Sequence, residues 1–558
     1  MSFFDPLAGF LYPYLMPAHP TSSSNLLVCS DLHLGGTLRG EDIAAADGGR
    51  LPFKALRRAV RQDRAVSRFL DYHRENTSGD TKGNPLPWRL ILNGDIFDFL
   101  HLDVRPTGES EEAPSAEEAL YGLSFEEYRS CWKLGVICSV HRRTIQAFAR
   151  FVDAGHEIVF IIGNHDVDLW FEKVRHGLLD AIALASKSPE VARRSITFEP
   201  WFYFEADRAY IEHGHRFDPY NTFPDPLQPL LVREQRELAP TFGHFSLRYF
   251  CNRVRSFPIY DMDHNPIAKI FRWIIERPKK EVFMAAVQWI VFMWRYIQMT
   301  FLIRRHSGER QAHLRQTRRN RLRRFAKRYG MPIKRILALD ALKRAHVGAS
   351  FARFAQGMLL DRIALVCVST SVSLAILSLS DGWIAGLSLA AIVGTVIWGW
   401  FRLDKTRPIH DVQPLLGRLA RRIGKLTGAR VVVFGHTHKP AIERRGSTEW
   451  MNPGSWEHLP FIDSHGENGA CECSVKYGVV TGQGDQTEAY LVDWCSESHV
   501  PIGACQSEGN ATRLPRLKLT KGVGSMTARL NQILGRLRDG RGHVPTLRNQ
   551  PQIADPEV

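Results

Sequence analysis

Five apolar runs in the sequence end in side chains that can bind metals. They continue as DLH, GDIFD, GNHD, HGH and GHTH, and so place Asp, Asn and His at short, recurrent spacings. A single histidine after a strand is more often structural than functional, whereas five such groups in one chain indicate a shared site. The residues concerned are Asp31, His33, Asp95, Asp98, Asn164, His165, Asp166, His213, His215, His436 and His438.

A ligand set that mixes carboxylate, amide and imidazole groups favours divalent ions of intermediate softness. Mn²⁺ is our first choice and Fe²⁺, Zn²⁺, Co²⁺ or Ni²⁺ stay open, since Mg²⁺ alone rarely takes so many imidazoles. Two such ions about 3.5 to 4 Å apart can acidify a bridging water and hold it in line with a phosphorus atom. One carboxylate must then bridge the ions, and an imidazole that binds no metal can protonate the leaving oxygen.

The apolar runs are predicted to be buried β-strands, because they lack helical periodicity and are rich in aliphatic residues. They lie at 26–33, 89–98, 157–166, 209–215 and 431–438, and stretches with helical spacing lie between them at 53–74 and 128–152. Ligands of open α/β sheets bind at the carboxyl ends of strands, which is where each polar group stands. The sequence therefore predicts an α/β domain with one dinuclear metal centre.

The five motifs, in this order, resemble those of the calcineurin-like metallophosphoesterase superfamily. The resemblance covers about 26–216 and 430–456, including NPGSW at 452–456. It implies a four-layered α/β/β/α sandwich around two sheets. SDLHLGG and NGDIFDF are similar to the branch of UDP-2,3-diacylglucosamine pyrophosphatases, which work at membrane surfaces. Those enzymes typically have Arg at the position of His165 and HGD in place of HGH. We therefore keep the resemblance to this branch but do not carry over its substrate.

Residue by residue, the resemblance implies two metal ions that are bridged by Asp95. One ion would be held by Asp31, His33 and His438, and the other by Asn164, His213 and His436. A metal-bridging hydroxide would be the nucleophile, with no covalent enzyme intermediate.

His165 would be the general acid or a phosphate-stabilising group, oriented by Asp98 or by Asp166. The role of His215 stays open. It would either contact the substrate or a metal ligand, or be purely structural. Phe99 follows Asp98 where protein phosphatases of the superfamily carry Arg-Gly, and Asp166 stands where they usually have Glu. These departures disfavour a phosphoprotein substrate.

The motifs fall into two blocks, because some 215 residues separate the fourth run from the fifth, far more than a loop needs. We therefore predict a catalytic domain that is split by an insertion. The predicted segments are an N-terminal leader at 1–25, the two parts of the metallophosphoesterase domain at 26–216 and 408–495, a basic helical insertion at 217–407 and a basic, partly disordered tail at 496–558.

The net charge of +15, from 73 Lys and Arg against 58 Asp and Glu, is concentrated in one segment. Between 304 and 335 there are 13 basic residues and one acid, Glu309, so this stretch carries +12 and the rest of the chain +3. Clustered charge indicates an anionic partner. Lipid headgroups fit best, because aromatic residues that would stack on nucleic-acid bases are not interleaved here. A solvated helix without a partner is the alternative.

Two charge-free runs, 363–380 and 382–401, flank a turn signal at Asp381 and Gly382. As helices they would measure roughly 27 and 30 Å, about the thickness of a hydrocarbon core. We predict a membrane hairpin at 363–401, with a buried helical pair as the alternative. Basic residues on both sides of the hairpin place its flanks in the cytoplasm.

Another apolar run, 282–294, ends where Arg295 interrupts it. The uninterrupted part is predicted to be too short to cross a bilayer. We therefore expect an interfacial helix or a core helix at this position.

Together these features predict a dinuclear-metal-dependent phosphoesterase at the cytoplasmic face of a membrane. Its substrate would be a phosphorylated small molecule, a lipid or a nucleotide-linked compound, cleaved at a phosphoester or pyrophosphate bond. A nuclease or cyclic-nucleotide phosphodiesterase that uses the Arg-rich segment to bind nucleic acid is the first alternative. A non-catalytic membrane scaffold is the second.

Overall fold

The structure is a computed structural model. It describes residues 24–38, 53–77, 85–106, 113–231 without 224 and 226, 236–257 without 255, 266–304, 308–358, 360–379, 382–406, 412–457, 474–495 and 500–504. All of these except Pro85 belong to one compact unit, Met1–Thr77 with Leu86–Leu514. The second unit, Ser78–Pro85 with Pro515–Val558, otherwise lies outside the described residues, as do most of the predicted leader and tail.

In the described part, strands and helices alternate up to β4, β5 and β6 then follow directly, and residues 242 to 427 are mainly helical. The strands are β1 (Asn25–Cys29), β2 (Trp88–Asn93), β3 (Glu157–Ile161), β4 (Ile196–Glu199), β5 (Phe202–Glu205), β6 (Ala209–Glu212), β7 (Val431–Val433), β8 (Ala441–Arg445), β9 (Thr448–Asn452), β10 (Ser474–Thr481), β11 (Glu488–Cys495) and β12 (Val500–Ala504). The α-helices are α1 (Phe53–Glu75), α2 (Ala116–Tyr121), α3 (Glu127–Val140), α4 (Arg142–Asp153), α5 (Glu172–Ala185), α6 (Pro189–Arg194), α7 (Phe242–Ser246), α8 (Pro266–Glu276), α9 (Lys279–Arg304), α10 (Gly308–Arg328), α11 (Ile333–Asp340), α12 (Phe351–Gly357), α13 (Leu360–Leu379), α14 (Trp383–Thr406) and α15 (Gln413–Thr427).

Two mixed sheets form the centre of this α/β fold. The first runs β12-β11-β10-β1-β2-β3-β4, with β1 to β4 parallel and β10 antiparallel to β1. The second runs β5-β6-β7-β9-β8, with β6, β7 and β9 parallel. Because β1 pairs with β10 and β6 pairs with β7, segments from before and after the long helical stretch build both sheets.

Strand β1 is buried on both of its faces. Leu26 and Val28 belong to the apolar cluster shared with the second sheet, whereas Leu27 belongs to the cluster that includes Val66 of α1 and Phe148 of α4. A parallel strand that is covered on both sides needs apolar residues at every position. This explains why the strand is a continuous apolar run in the sequence.

Helix α10, the centre of the basic segment, covers the second sheet. Its Leu322 and Phe325 lie in one buried cluster with Phe202 of β5 and Trp450 of β9. One side of α10 is therefore part of the core of the domain, and the opposite side carries exposed cations. The exposed basic residues of the helix are Arg315, Arg319, Arg323, Arg324 and Lys327. The charge pattern predicted a basic insertion but did not indicate that this helix packs on the second sheet.

Three helical segments are long and apolar enough to cross a membrane: Lys279–Phe301, Leu360–Leu379 and Ala385–Leu403. The prediction that the run around 282–294 is too short was wrong, because α9 continues without a break through Arg295. The guanidinium of Arg295 pairs with Glu117 of α2 at 2.8 Å. The charge that interrupts the apolar run is thus compensated by the protein and does not end the helix.

Replacing Phe325 with Ala is expected to destabilise the domain by about 3 to 5 kcal/mol, because loss of the buried ring leaves a cavity between α10 and the second sheet. Arg324→Ala, at the exposed neighbouring position, should change the free energy of unfolding by less than about 0.5 kcal/mol. Chemical denaturation of both variants in detergent measures the difference. Equal stability of the two variants would contradict the packing of α10 on the sheet.

Candidate metal centre

Most of the predicted ligands stand at strand ends in the left-handed backbone conformation. Among the described residues, Asp207 is the one other non-glycine residue with positive φ. This conformation is uncommon for residues that carry a Cβ, and where it persists it often marks a functional site. Five of the predicted ligands adopt it, with φ between 50° and 67°: Asp31, His33, Asp95, His436 and His438.

Asp31, His33 and His438 form the first ligand group. The Nε2 atoms of the two histidines lie 3.1 Å apart, and Asp31 Oδ1 lies 3.2 Å from His438 Nε2 and 3.9 Å from His33 Nε2. Ligands in a tetrahedron around Zn²⁺ are about 3.3 Å apart, so these separations fit a shared ion. Asp31 Oδ1 is buried without a hydrogen-bond partner among the described residues, which is costly for a carboxylate. A cation at this point would satisfy all three atoms.

Asp95, His213 and His436 form the second ligand group, and Asn164 joins it. His213 Nε2 lies 3.2 Å from both Asp95 Oδ2 and Asn164 Oδ1. His213 Nδ1 donates to the backbone oxygen of Asn93 at 2.8 Å. In the neutral ring this hydrogen bond leaves the lone pair on Nε2, the atom that faces the other ligands.

The carboxylate of Asp95 lies between the two ligand groups. Its Oδ2 is 3.2 Å from His213 Nε2 and 3.9 Å from His33 Nε2, whereas its Oδ1 accepts from the backbone nitrogen of His165 at 2.8 Å. Burial favours the neutral carboxyl, yet the surrounding imidazoles, first that of His213, hold the pKa of Asp95 well below its usual value. Asp95 is therefore an anion placed to contact both groups, as a bridging ligand must be.

Asp98 accepts from three imidazoles and orients them. Its oxygens lie 3.1 Å from His33 Nδ1, 3.2 Å from His165 Nδ1 and 2.6 Å from His101 Nδ1. Although Asp98 is fully buried, the charges on His101 and His165 hold its pKa well below the usual value. The ring of His165 is positioned with Nε2 4.0 Å from Asp95 Oδ2, and 15% of its side chain is exposed. It lies outside these two groups, but together with His33, Asp98 and His101 it forms a third set of side chains that could hold a metal ion.

The sequence predicted that either Asp98 or Asp166 orients His165. In the structure Asp98 contacts His165 and Asp166 does not. Asp166 instead accepts from the backbone nitrogens of Ile96 and Gly163 at 2.8 and 2.7 Å, and so ties two motif loops together. Burial and the nearby charge of Asp95 raise the pKa of Asp166 to about 7.

His215 lies beside the second ligand group without belonging to it. Its ring centroid is 5.5 Å from that of His213. The residue is buried, and its Nδ1 has no hydrogen-bond partner among the described residues. Burial, reinforced by the charges on His213 and His436, holds the pKa of His215 well below its usual value.

Three residues that the sequence motifs did not single out complete the site. His101 shares Asp98 with His165, Asp218 Oδ2 lies 3.0 Å from His436 Nε2, and Glu457 Oε2 lies 3.8 Å from His438 Nδ1. Carboxylates in such positions orient ligating histidines and raise their basicity. Each of the three stands one to three residues beyond a motif, so its position in the sequence was the only available signal.

Glycines of the motifs create the space in which the ligands meet. A Cβ on Gly94, which has φ of 77°, would lie 2.5 Å from Cγ of His213. A Cβ on Gly163 would lie 2.5 Å from the backbone nitrogen of Asp95. Because this second clash is with backbone, no rotation of a side chain can relieve it.

No protein-family model and no curated protein matches this chain. The structure contains His and Asp groups that could hold a metal ion, and nothing in it identifies the metal or the number of ions. The assignment of a function therefore rests on the geometry of the site.

Gly163→Ala is expected to weaken metal binding roughly 10- to 100-fold, because the added methyl group displaces Asp95 from both ligand groups. The matched control is Gly135→Ala, an exposed position in α3 where a Cβ meets nothing within 4 Å. Metal content and Mn²⁺ affinity of the purified chains measure the effect. Unchanged affinity in Gly163→Ala would show that ions do not bind at Asp95.

Proposed function

We propose that this protein is a calcineurin-like metallophosphoesterase that uses two divalent ions to cleave a phosphoester or pyrophosphate bond at the cytoplasmic face of a membrane. The observation that carries the proposal is the position of Asp95, whose Oδ2 lies near His33 of one ligand group and His213 of the other. Two adjacent ligand groups that share a carboxylate suit in-line displacement at phosphorus.

The order of the layers supports the same proposal. Helices α1 and α4 pack on one face of the first sheet, an apolar cluster separates the two sheets, and α10, α11 and α15 pack on the outer face of the second. This order corresponds to the four-layered α/β/β/α sandwich that the motif resemblance implies.

The donor set supports the following distribution of ligands between the two proposed ions. Asp31, His33 and His438 would hold one ion, Asn164, His213 and His436 the other, and Asp95 both. Because the ligands mix nitrogen and oxygen atoms, Mn²⁺ remains our first choice of metal, and Fe²⁺, Zn²⁺, Co²⁺ and Ni²⁺ remain alternatives. When bound, such ions supply Lewis acidity, which acidifies water and neutralises the charge of a phosphate group.

His165 would act on the substrate directly. Its Nδ1 faces Asp98 at 3.2 Å, so this nitrogen carries a proton in either charge state of the ring. Burial opposes the positive charge, but the carboxylates of Asp98 and Asp95 raise the pKa of His165. The Nε2 atom lies 4.0 Å from Asp95 Oδ2, and from there the ring would stabilise a phosphate or protonate the leaving oxygen.

Asp95→Asn is expected to reduce metal-dependent hydrolysis to roughly one per cent of the wild-type rate or less, because Lewis-acid stabilisation is worth several kcal/mol. Asp207→Asn is the matched control, since Asp207 is exposed and has the same left-handed backbone, with φ of 54°. The rates are measured with Mn²⁺-loaded protein on phosphomonoesters, phosphodiesters, nucleotide-linked pyrophosphates and phospholipids. Full activity in Asp95→Asn would refute the two-metal assignment, and the best substrate in the panel identifies the bond type.

Helix α9 supports a position at the membrane surface. An uninterrupted stripe of large apolar side chains runs along one side of it, between 42% and 69% exposed: Phe283, Val287, Ile290, Trp294, Ile297 and Phe301. Spacings of three and four residues place these on one face of a helix. The opposite face, with Ala285, Phe292 and Tyr296, is buried against the protein.

The partners of α9 support a position in the plane of the membrane over one that crosses it. Arg295 pairs with Glu117, and its guanidinium lies 5.0 Å from the ring centroids of Tyr121 and Tyr249. If α9 crossed the bilayer, α2 with Glu117 and Glu118 would have to enter the hydrocarbon beside it, at a high cost. An in-plane helix instead exposes only its apolar stripe to lipid.

Helices α13 and α14 are the proposed membrane hairpin. Both carry many exposed apolar side chains, and they pack against each other where Gly399 approaches Leu365. At the base of the hairpin, the guanidinium of Arg362 lies 4.2 Å from the ring centroid of Trp400. Arg and Trp are common at the interface between lipid and water, and cationic flanks favour the cytoplasmic side.

A fluorescent amino acid placed at Phe283, Ile290 or Ile297 is expected to report the same shallow depth, about 5 to 10 Å into the interface. Depth is measured in proteoliposomes with lipids brominated at defined positions. Val393, in the middle of α14, serves as the deep reference, and Leu184, which is 90% exposed on α5, serves as the reference outside the membrane. A spanning helix would instead give a depth that differs strongly among the three sites.

A further inference from the structure

The outer side of the second sheet is covered by three helices that expose many cations. Helices α10, α11 and α15 share one buried cluster, to which they contribute Leu322, Ile336 and Leu416. Among the side chains that the structure describes in these helices, Asp340 is the one acid, and it is buried and accepts from Arg216 and Arg318. The exposed basic residues are Arg315, Arg319, Arg323, Arg324, Lys327, Lys334, Arg418, Arg421, Arg422 and Lys425, here called the basic face.

Helix α15 extends the basic face beyond the basic segment of the sequence. The segment 304–335 is evident from its composition, whereas α15 follows the hairpin and belongs to the part of the chain predicted as sheet domain. Arg418, Arg421 and Lys425 recur at spacings of three and four residues and so share one side of α15. Composition along the chain therefore shows only part of this surface.

The cations of the basic face have no acidic partners in the part of the chain that the structure describes. They differ in this from Arg318 and Arg328 of α10, which pair with Asp340 and Glu199. Like charges three and four residues apart on a helix repel each other. Because anions that gather at the surface relieve this repulsion, the basic face favours an anionic partner.

Short connections link this surface to the elements proposed for the membrane. Helix α9 ends at Arg304 and α10 begins at Gly308, so their connection spans at most about 14 Å. Helix α14 ends at Thr406 and α15 begins at Gln413, so their connection spans at most about 25 Å. The chain itself therefore keeps a bilayer close to both helices, whereas a nucleic acid or an acidic protein would have to be recruited from solution.

The side chains of the basic face favour lipid headgroups over nucleic-acid bases. Helices α11 and α15 contain no Phe, Tyr or Trp, and Phe325 of α10 is buried. Binding of single strands relies on exposed aromatic rings that stack on bases, whereas attraction to anionic lipids needs only cations. Seven of the ten cations are arginines, whose guanidinium groups donate paired hydrogen bonds to phosphate oxygens.

We propose that the basic face docks on anionic lipid headgroups and that α15 is as necessary for docking as α10. The inference rests on the membrane position given in the proposed function, but it does not depend on hydrolysis. It also orients the sheet domain. The layer with α10 and α15 would lie against the bilayer, and α1, which packs on the first sheet beyond the apolar cluster between the sheets, would face away from it.

The test places the full chain in lipid nanodiscs of phosphatidylcholine, with or without phosphatidylglycerol. A fluorescent amino acid replaces Gln316, an exposed and uncharged residue of α10, and lipids that carry a spin label on the headgroup quench it on contact. We expect quenching that requires phosphatidylglycerol. It should be lost at about 1 M salt, where screening limits electrostatic attraction to about 3 Å. Quenching that is equal in the two kinds of nanodisc would overturn the proposal.

Two variants with three arginines replaced by Gln test the two helices separately. Each is expected to weaken docking roughly 100-fold and so to abolish the quenching, because each cation near an anionic surface strengthens binding roughly fivefold. The α10 variant is Arg319→Gln with Arg323→Gln and Arg324→Gln, and the α15 variant is Arg418→Gln with Arg421→Gln and Arg422→Gln. Wild-type quenching in the α15 variant would overturn the proposal, even if the α10 variant had lost it.

The matched control removes three exposed arginines from α1, on the other side of the sheet domain. Arg57→Gln with Arg64→Gln and Arg68→Gln changes the net charge by the same amount and should leave the quenching at Gln316 unchanged. Loss of quenching in this variant would show that net charge and not the basic face determines docking, and would overturn the proposal.

A titration with labelled duplex DNA tests the other class of partner. The full chain is held in detergent micelles at about 0.15 M salt, where long-range attraction is screened beyond about 8 Å. DNA binding that is lost in both triple variants, without quenching that requires phosphatidylglycerol, would assign the basic face to nucleic acid and overturn the proposal.

A second probe separates this inference from the proposed function. A fluorescent amino acid at Val393 of α14 reports insertion of the hairpin through lipids labelled in their acyl chains. Quenching at Val393 without the lipid-dependent quenching at Gln316 would refute this inference alone, and the reverse result would refute the hairpin alone. Asp95→Asn should be quenched at Gln316 as the wild type is, so a chain without hydrolytic activity still tests the basic face.

Discussion

The balance of buried charge at the strand ends is the constraint on which the rest of the site depends. Asp31, Asp95 and Asp98 are almost completely removed from solvent, and an isolated buried carboxylate would be protonated or would destabilise the fold. Imidazoles surround the three carboxylates and hold their pKa values below the usual range. The same carboxylates, first Asp98, raise the pKa of His33 to about 10 despite its burial. Such a field favours cations, and divalent ions would replace the protons.

This charge cluster can form only because the two halves of the sheet domain meet. Strand β6, which His213 directly follows, pairs with β7, after which His436 stands, although the two histidines are more than 200 residues apart in the sequence. The segment after β9 closes the arrangement, since Ser455 Oγ and the backbone nitrogen of Trp456 both donate to the backbone oxygen of Asp31. The NPGSW motif therefore holds Asp31, a candidate ligand, in place.

The long helical stretch between the halves has more than one structural role. Helix α10 covers the second sheet, and two of its cations are used inside the protein, where Arg328 pairs with Glu199 and Arg318 pairs with Asp340. Helix α9 packs against the π-helical turn Leu247–Cys251 and leaves an apolar stripe exposed, while α13 and α14 project as a pair. The positive charge of this stretch is thus divided between internal ion pairs and an exposed helical face.

The sequence by itself determined the Asp, Asn and His residue types, their place after buried strands and the two apolar runs at 363–380 and 382–401, because these depend on local composition and periodicity. It did not show that α9 continues through Arg295. It could not determine the partners of those residues. His165 contacts Asp98 and not Asp166, Asp218 contacts His436, Glu457 lies near His438, and Arg295 of α9 pairs with Glu117 of α2. All of these contacts join residues that are distant in the sequence. Contacts of this kind follow from how strands and helices pack, and packing brings together residues whose separation along the chain carries no signal.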